Sequence, residues 1–592
     1  MTEAYHPGMA RPVWLGVAVA AGVLLAAAGE NAWRSWRQPE DYIEAAGRVP
    51  GGLPFHLEER AAAAGLSFTH EGLRTTSALH PWDRRLFAYG ASVAVADVDG
   101  DGWMDVYVTN SALGSRNHLF INRHDGTFRD ESDRYGIGDV NRVQGSWRAL
   151  FLDLDNDGKE DLVLTGVSGR PRVFMQRRGR FVEQPEEAFE AGDSSAINAL
   201  DLDGDGFLDL VIGYTRPFDF DPEHPARFDI FNRSMQTSHM RPGRLRAYRN
   251  DGHGRFSPMP GLFPPNPVGV PLAVGVSDLD GDGRPYIHWA MDLSPRDRLF
   301  NLVAPGVLEP ETGKMPRRHR LNSMSSEIAD VDGDGQPLLY VTQIHDPGWQ
   351  IGHNFLLKRL KDGRFVDVAE RRGGAACGWS WGAKFIDLDL DGRLDLVVAN
   401  GMISGRSDFR YRQGVLMQAS AQRQVDIRNW PPFGDSSLSG YQRDCVFYNA
   451  GGRFVEVGRE AGLTSLRDGR GVAAIDIGND GTPAFLVANQ GQPLELYVSK
   501  SARARRWIGF VLKPKRGPRD PFGARVVLAL DDGRRLSTEV QPCNGYCAQS
   551  DPRPKFGLGG ARPLWAEVRW PSGRRQRLDA PREGRYNAVE ER

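Results

Sequence analysis

The 592-residue chain has only four cysteines, Cys377, Cys445, Cys543 and Cys547, too few for a fold held together mainly by disulfides. No HExxH or kinase-type set occurs, and the one GxSxG spacing, GWSWG at Gly378–Gly382, runs into the strand-like WGAKFID with no helix pattern after it, so it lacks the strand-to-helix context of a nucleophile elbow. No basic tract is interleaved with aromatics, and there is no zinc-finger or helix-turn-helix pattern, which disfavours nucleic acid as a partner. One apolar run, Val13 to Ala28, is long enough to suggest a targeting or membrane role, and no second run is long enough to span a bilayer. Arg11 precedes it, but Arg34 and Arg37 follow, so the flanking charge does not settle orientation. Residues 1–29 therefore read as a signal peptide, with a small-residue cleavage site at Ala26–Ala28, or as a single N-terminal membrane anchor. Either reading puts the rest of the chain outside the cytoplasm: periplasmic, on the cell envelope, or secreted.

What is abundant is turn-forming residues. Gly (69) and Pro (38) together make up about 18 per cent of the chain, above the average of about 12 per cent. Many short strands joined by tight turns need that excess. Charge is unevenly spread. Ser501 to Arg592 hold 20 Lys and Arg against 10 Asp and Glu, a net of +10, so the first 500 residues carry −12. An acidic body and a basic C-terminal part can attract each other or bind surfaces of opposite charge.

A nine-residue pattern, D-x-D-x-D-G-x-x-D, organises the chain. Its copies are DVDGDGWMD (Asp97–Asp105), DLDNDGKED (Asp153–Asp161), DLDGDGFLD (Asp201–Asp209), DLDGDGRPY (Asp278–Tyr286), DVDGDGQPL (Asp330–Leu338), DLDLDGRLD (Asp387–Asp395) and the worn DIGNDGTPA (Asp476–Ala484). Starts are 56, 48, 77, 52, 57 and 89 residues apart. Short apolar, β-branched runs flank each copy, such as ASVAVAD before and DVYVTN after, and hairpin-like segments such as NHLFINRHDGTF follow. One such unit cannot bury its own apolar faces, whereas radial stacking of seven can, and closure removes the sheet edges. The fold class expected is all-β: a seven-bladed β-propeller over 88–500, preceded by a linker and entry segment at 30–87. A small β-sandwich or barrel-like domain follows at 501–592.

The nine-residue loop has the chemistry of a hard-cation site. Carboxylates at positions one, three, five and nine, with the carbonyl of position seven, converge on one point, and several carboxylates so close repel unless a cation sits among them. The candidate calcium ligands are Asp97, Asp99, Asp101, Trp103 and Asp105 in the first copy; Asp153, Asp155, Asp157, Lys159 and Asp161 in the second; and Asp201, Asp203, Asp205, Phe207 and Asp209 in the third. The fourth offers Asp278, Asp280 and Asp282, the fifth Asp330, Asp332 and Asp334, and the sixth Asp387, Asp389, Asp391, Arg393 and Asp395. Position seven (Trp103, Lys159, Phe207, Arg393) contributes only its backbone oxygen. Strong sites are expected in copies one, two, three and six, weaker ones in four and five, and little binding in the last. The loop is not an EF-hand: strands flank it, and Val108 stands where a bidentate Glu would be.

YGASVAVADVDGDGWMDVYVTN, WGAKFIDLDLDGRLDLVVANG and DCVFYNAGGRFVEVGREAGL resemble the FG-GAP/VCBS repeats of integrin alpha propellers. FGARV, KFGLGG and EVRWPSG resemble the ASPIC/UnbV domain, so the whole chain is similar to the bacterial relatives of cartilage acidic protein 1. The resemblance implies calcium-bound loops on an exported protein, and no catalytic residues. The sequence departs from the family at CNGYC (Cys543–Cys547), where a local disulfide or a metal pair is expected, and Cys377 and Cys445 read as buried thiols or a disulfide. Two inserts, Arg216–Arg241 and Met402–Asp444, mix Arg, aromatics, Pro and Asp, a composition suited to protein or glycan contacts. The function expected is a calcium-stabilised binding or scaffold protein. The competing expectation is a hydrolase or oxidoreductase with its site in the propeller channel or the inserts.

Overall fold

The computed structural model describes residues 43, 47, 49–72, 90–167, 169–185, 187–215, 243–265, 269–317, 321–346, 350–402, 441–501 and 506–592. The apolar N-terminal run, Arg216–Arg241 and most of Met402–Asp444 lie outside them. Among the described residues no helix is long and apolar enough to cross a membrane.

Each repeat folds into an antiparallel sheet of four strands, named here blade one to blade seven in the order of their inner strands. The inner strands are Val93–Ala96, Gly145–Leu152, Asp193–Leu200, Val270–Ser277, Glu327–Ala329, Ser380–Ile386 and Gly469–Ile475. They neighbour one another in that order, and the seventh touches the first, so the sheets form a closed ring. The sequence explains why they face inward: runs such as Val-Ala-Val-Ala are small enough to crowd around an axis and are buried on both sides. Seven apolar clusters fill the gaps between adjacent blades, one per gap.

Blade seven combines the two ends of the ring. Its outermost strand is Phe55–Glu59, which pairs antiparallel with Glu495–Ser501. Within the linker and entry segment expected over 30–87, this strand closes the ring. Phe55 and Leu57 point into the gap between blades six and seven. Two apolar residues in a five-residue strand are too short a pattern to separate from a linker.

The C-terminal domain is a two-sheet sandwich. Trp507–Lys513 lies between Lys555–Gly557 and Tyr586–Glu590 in one sheet. Arg535–Glu539, Arg525–Leu530, Pro563–Arg569 and Arg575–Asp579 form the other, in that spatial order. A separate apolar cluster lies between them.

One segment of this domain leaves the sandwich and enters the propeller channel. Residues 541–551 touch the inner strands of all seven blades. Ala548–Gln549 pairs in parallel with Val93–Ala94 of blade one. The Gln549 amide both donates to and accepts from the Phe151 backbone in blade two, each at 2.8 Å. Asn544 Oδ1 accepts from Asn198 Nδ2 of blade three at 3.0 Å and from the Val276 N–H of blade four at 2.9 Å, while its Nδ2 donates to the Val276 carbonyl. Gln541 donates to the Ile328 carbonyl of blade five. Tyr546 packs on Trp381 of blade six, ring centroids 5.2 Å apart. Ser550 Oγ accepts from the Ala474 N–H of blade seven. Gly545 sits at φ +99 between these contacts, a conformation in which any Cβ is strained.

CNGYC therefore forms the core of a plug, and the disulfide expected between Cys543 and Cys547 is corrected: both are free, buried thiols. Cys543 packs in the cluster between blades two and three, and Cys547 lies with Trp147 and Trp381 in a different cluster. Burial pushes the Cys543 thiol up to about 11. The disulfide joins Cys377 to Cys445 beside the gap between blades five and six.

Two outcomes check this arrangement. Thiol titration without reductant should find two reactive sulfurs per chain, and only after unfolding. Asn544→Ala leaves Asn198 and the Val276 backbone without partners in the channel. It should lower the denaturant midpoint by the equivalent of about 1–3 kcal/mol.

Candidate metal centres

The seven nine-residue loops join the first and second strand of each blade, so all lie on one face of the ring. Their geometry is shared. Oδ2 of the position-one carboxylate accepts the N–H of the position-six glycine in every loop: Asp97 from Gly102, Asp153 from Gly158, Asp201 from Gly206, Asp278 from Gly283, Asp330 from Gly335, Asp387 from Gly392 and Asp476 from Gly481, at 2.7–3.1 Å. The position-five carboxylate accepts the position-seven N–H in each as well, as Asp101 does from Trp103. Position six needs glycine because its φ is left-handed in all seven, +88 at Gly102 for example.

In the four complete loops the position-nine carboxylate is a clasp. Asp105, Asp161, Asp209 and Asp395 each accept a position-two N–H with one oxygen and the N–H of a third-strand residue with the other. Those third-strand residues are Asn122, Gln176, Asn250 and Asn449. Three of them reach across to the preceding blade, where Asn122, Gln176 and Asn250 donate to the carbonyls of Ile477, Val98 and Leu154. These amide latches were not expected from the sequence, although an Asn recurs just before the hairpin turn in FINRHDG, YRNDG and FYNAGG.

In five loops three of the expected carboxylates come together. Ligand oxygens within 4.8 Å of one another come from Asp97, Asp99 and Asp101; Asp153, Asp155 and Asp161; Asp201, Asp203 and Asp209; Asp278, Asp280 and Asp282; and Asp387, Asp389 and Asp391. Asp330, Asp332 and Asp334 are not brought together in this way among the described residues. Asp97 Oδ1 and Asp476 Oδ1 are buried without a hydrogen-bond donor. Crowding like charges away from water makes deprotonation costly. Burial, with the neighbouring Asp99 and Asp101 repelling, pushes Asp97 up to about 6, and burial pushes Asp105 to about 8. Burial likewise raises Asp153 to about 6, Asp161 and Asp209 to about 7, and Asp387 to about 8. A hard cation among these oxygens relieves the repulsion, and the all-oxygen donor set suits calcium.

Basic side chains near the complete loops sit at positions three and five. Arg177 pairs with Asp155, Lys159 with Asp157, Arg249 with Asp203 and Asp205, and His124 with Asp101. None pairs with the position-one carboxylate of loops one, two, three, five or six among the described residues. In loop five, Arg372 and Lys358 hold Asp332, and Lys358 also reaches Asp334.

The C-terminal sandwich covers this loop face. Arg553 donates to the Gly102 carbonyl, Arg525 to those of Asp278 and Gly335, and Arg534 to that of Asp391. Asp520 accepts the Asp153 N–H, and the Tyr586 hydroxyl donates to Asp476. Cavities of about 170, 460 and 590 Å³ remain between cap and loops.

A Ser–His–Asp set also occurs. Ser326 Oγ lies 2.9 Å from His288 Nδ1, and Asp297 Oδ2 lies 3.6 Å from His288 Nε2. All three are fully buried, and the Ser326 carbonyl is tied to the plug by the Gly545 N–H. The set therefore supports packing and offers no surface to a substrate.

Comparisons with known proteins agree with this architecture. A family model described as an FG-GAP-like repeat matches residues 97–164, 153–212 and 330–398, and one described as ASPIC and UnbV matches 514–592. The chain is a relative of cartilage acidic protein 1. Identity is 25% with the Xenopus tropicalis protein, over 74% of this chain and 72% of the relative, and 22% with the human one, over 74% and 70%. It is also 25% identical to Xenopus laevis integrin alpha-4 over 28% of this chain and 18% of that protein. The repeat and integrin matches are in keeping with an integrin-alpha-like propeller for the ring of sheets.

The raised carboxylates give a signed pH dependence. With every cation chelated, the folded loops hold protons that the unfolded chain, with ordinary carboxylates near 3.8, has already released. The stability these groups contribute is complete below about pH 4. It is lost as pH rises through the folded values of about 6 to 8. Thermal unfolding in chelator should therefore move to lower temperature between pH 5 and pH 8.

Proposed function

We propose that the protein is a calcium-stabilised, extracytoplasmic binding or scaffold protein that meets a protein or glycan partner on the face opposite its C-terminal domain. The observation that carries this reading is which surfaces are free. The plug fills the channel, and the sandwich covers the loop face. In an antiparallel four-stranded blade, the connections between second and third strands emerge on the other face. Both long inserts are rooted there, after Thr215 in blade three and after Asn400 in blade six.

Exposed apolar side chains support the same face. Leu113, Val143 and Leu466 are 65%, 82% and 43% exposed, and all lie on connections at that face. The Gly114 N–H donates to the Asn141 carbonyl, which brings the loops of Leu113 and Val143 side by side. Apolar side chains on adjoining loops, rimmed by polar sequence, suit macromolecular contact. The Cys377–Cys445 disulfide fits an oxidising compartment outside the cytoplasm. Calcium at loops one, two, three and six raises stability by mass action, because the unfolded loops lack the geometry to hold it.

Two measurements test this. Saturating calcium should raise the unfolding temperature at pH 8 far more than magnesium does, and Asp201→Asn should remove about one bound calcium per chain. In pull-downs from envelope extract with calcium present, Leu113→Ser with Val143→Ser should lose the partner while unfolding at the wild-type temperature. Unchanged capture by that double variant would remove the open face from the proposal.

A further inference from the structure

The fourth loop differs from its neighbours in what holds its central carboxylate. Arg569, on the strand Pro563–Arg569 of the C-terminal sandwich, pairs through Nη2 with Asp278 Oδ2, the position-one oxygen, and donates through Nη1 to the Gly281 carbonyl at 3.0 Å. Arg569 is 14% and Asp278 4% exposed at the side chain. The rest of the loop is satisfied from within the propeller. Tyr286 stands where the complete loops have a fourth carboxylate, and its hydroxyl donates to Asp280 Oδ2 at 2.7 Å. Arg359 lies 3.4 Å from the same oxygen. The loop has three carboxylates against the four of loops one, two, three and six, and two guanidinium groups face them.

We propose that loop four is a docking socket, in which the Arg569 guanidinium of the C-terminal domain takes the place of the cation that the complete loops bind. The chemistry is self-consistent. Asp278 converges with Asp280 and Asp282 as in a cation loop, and a guanidinium supplies positive charge with directed N–H groups that match a carboxylate and a carbonyl together. Pairing with a guanidinium relieves the repulsion at a buried carboxylate, as a cation does. Unlike the ion, the arginine is attached to another domain, so the same interaction fastens that domain to the ring. Attachment at this point is independent of cation supply.

The proposal rests on the calcium reading of the complete loops, and its test separates the two. Calcium bound by the full chain is counted by equilibrium dialysis, and docking is read as hydrogen exchange over residues 563–579. Asp278→Asn, which removes the charge and keeps one acceptor oxygen for the Gly281 or the Gly283 amide but not for both, should leave the calcium count unchanged, whereas Asp201→Asn lowers it by one. Asp278→Asn and Arg569→Met should each speed exchange in the 563–579 strands, and the double variant should go no further than either single. Loss of one calcium equivalent in Asp278→Asn would overturn the proposal. So would exchange rates that multiply in the double variant. If no loop binds calcium, the reading under Proposed function falls, while the coupling of Asp278 with Arg569 still decides the socket.

Discussion

Like charges buried side by side need a positive partner, and most of this molecule's architecture follows from how that need is met. Among the described residues five blades turn from their first to their second strand through a loop in which three carboxylates converge, and in the complete loops burial raises carboxylates such as Asp97 and Asp387 well beyond free aspartate. The same groups carry the mechanical connections of the ring. Asp105, Asp161, Asp209 and Asp395 clasp the third strand, and the amides of Asn122, Gln176 and Asn250 bridge to the preceding blade. Neutralising the loops therefore consolidates backbone hydrogen bonds within and between blades.

The C-terminal domain is built around the same constraint. Its arginines reach the carbonyls of loops one, four, five and six, and Arg569 enters loop four itself. Its 541–551 segment fills the channel with polar side chains whose hydrogen bonds match those of the inner strands. A propeller channel lined by seven inner strands otherwise exposes backbone and small side chains to water, and the plug removes that surface. Cap, plug and the N-terminal strand Phe55–Glu59 bind residues from both ends of the chain into one ring. The opposite face is left uncovered by cap and plug.

The sequence showed the ring because its signal is repeated: a nine-residue loop with strands on either side, seven times over, leaves few alternatives. It also marks the fourth and fifth loops as different, since Tyr286 and Leu338 stand where the complete loops have a carboxylate. What it could not show depends on long-range pairing. Phe55 and Leu57 close a blade whose other strands lie more than 400 residues later. CNGYC looked like a local disulfide because two cysteines four positions apart invite one, yet Gly545 turns the segment so that each sulfur enters a different cluster. The basic charge of the last 92 residues is legible, although the sequence leaves open whether it meets the acidic body or another surface. That one arginine would sit inside one particular loop is not legible, because nothing near Arg569 in the chain marks it.

The central claim is that each buried loop needs a positive partner, and that calcium serves the complete loops while Arg569 serves loop four. Peptide-resolved hydrogen exchange of the full chain, with calcium and then with chelator, reads this directly through the position-six glycine amides. The account predicts that peptides covering 97–105, 153–161, 201–209 and 387–395 lose protection in chelator while 278–286 keeps it. Equal loss of protection in all five loops, or no change in any of them, would contradict it.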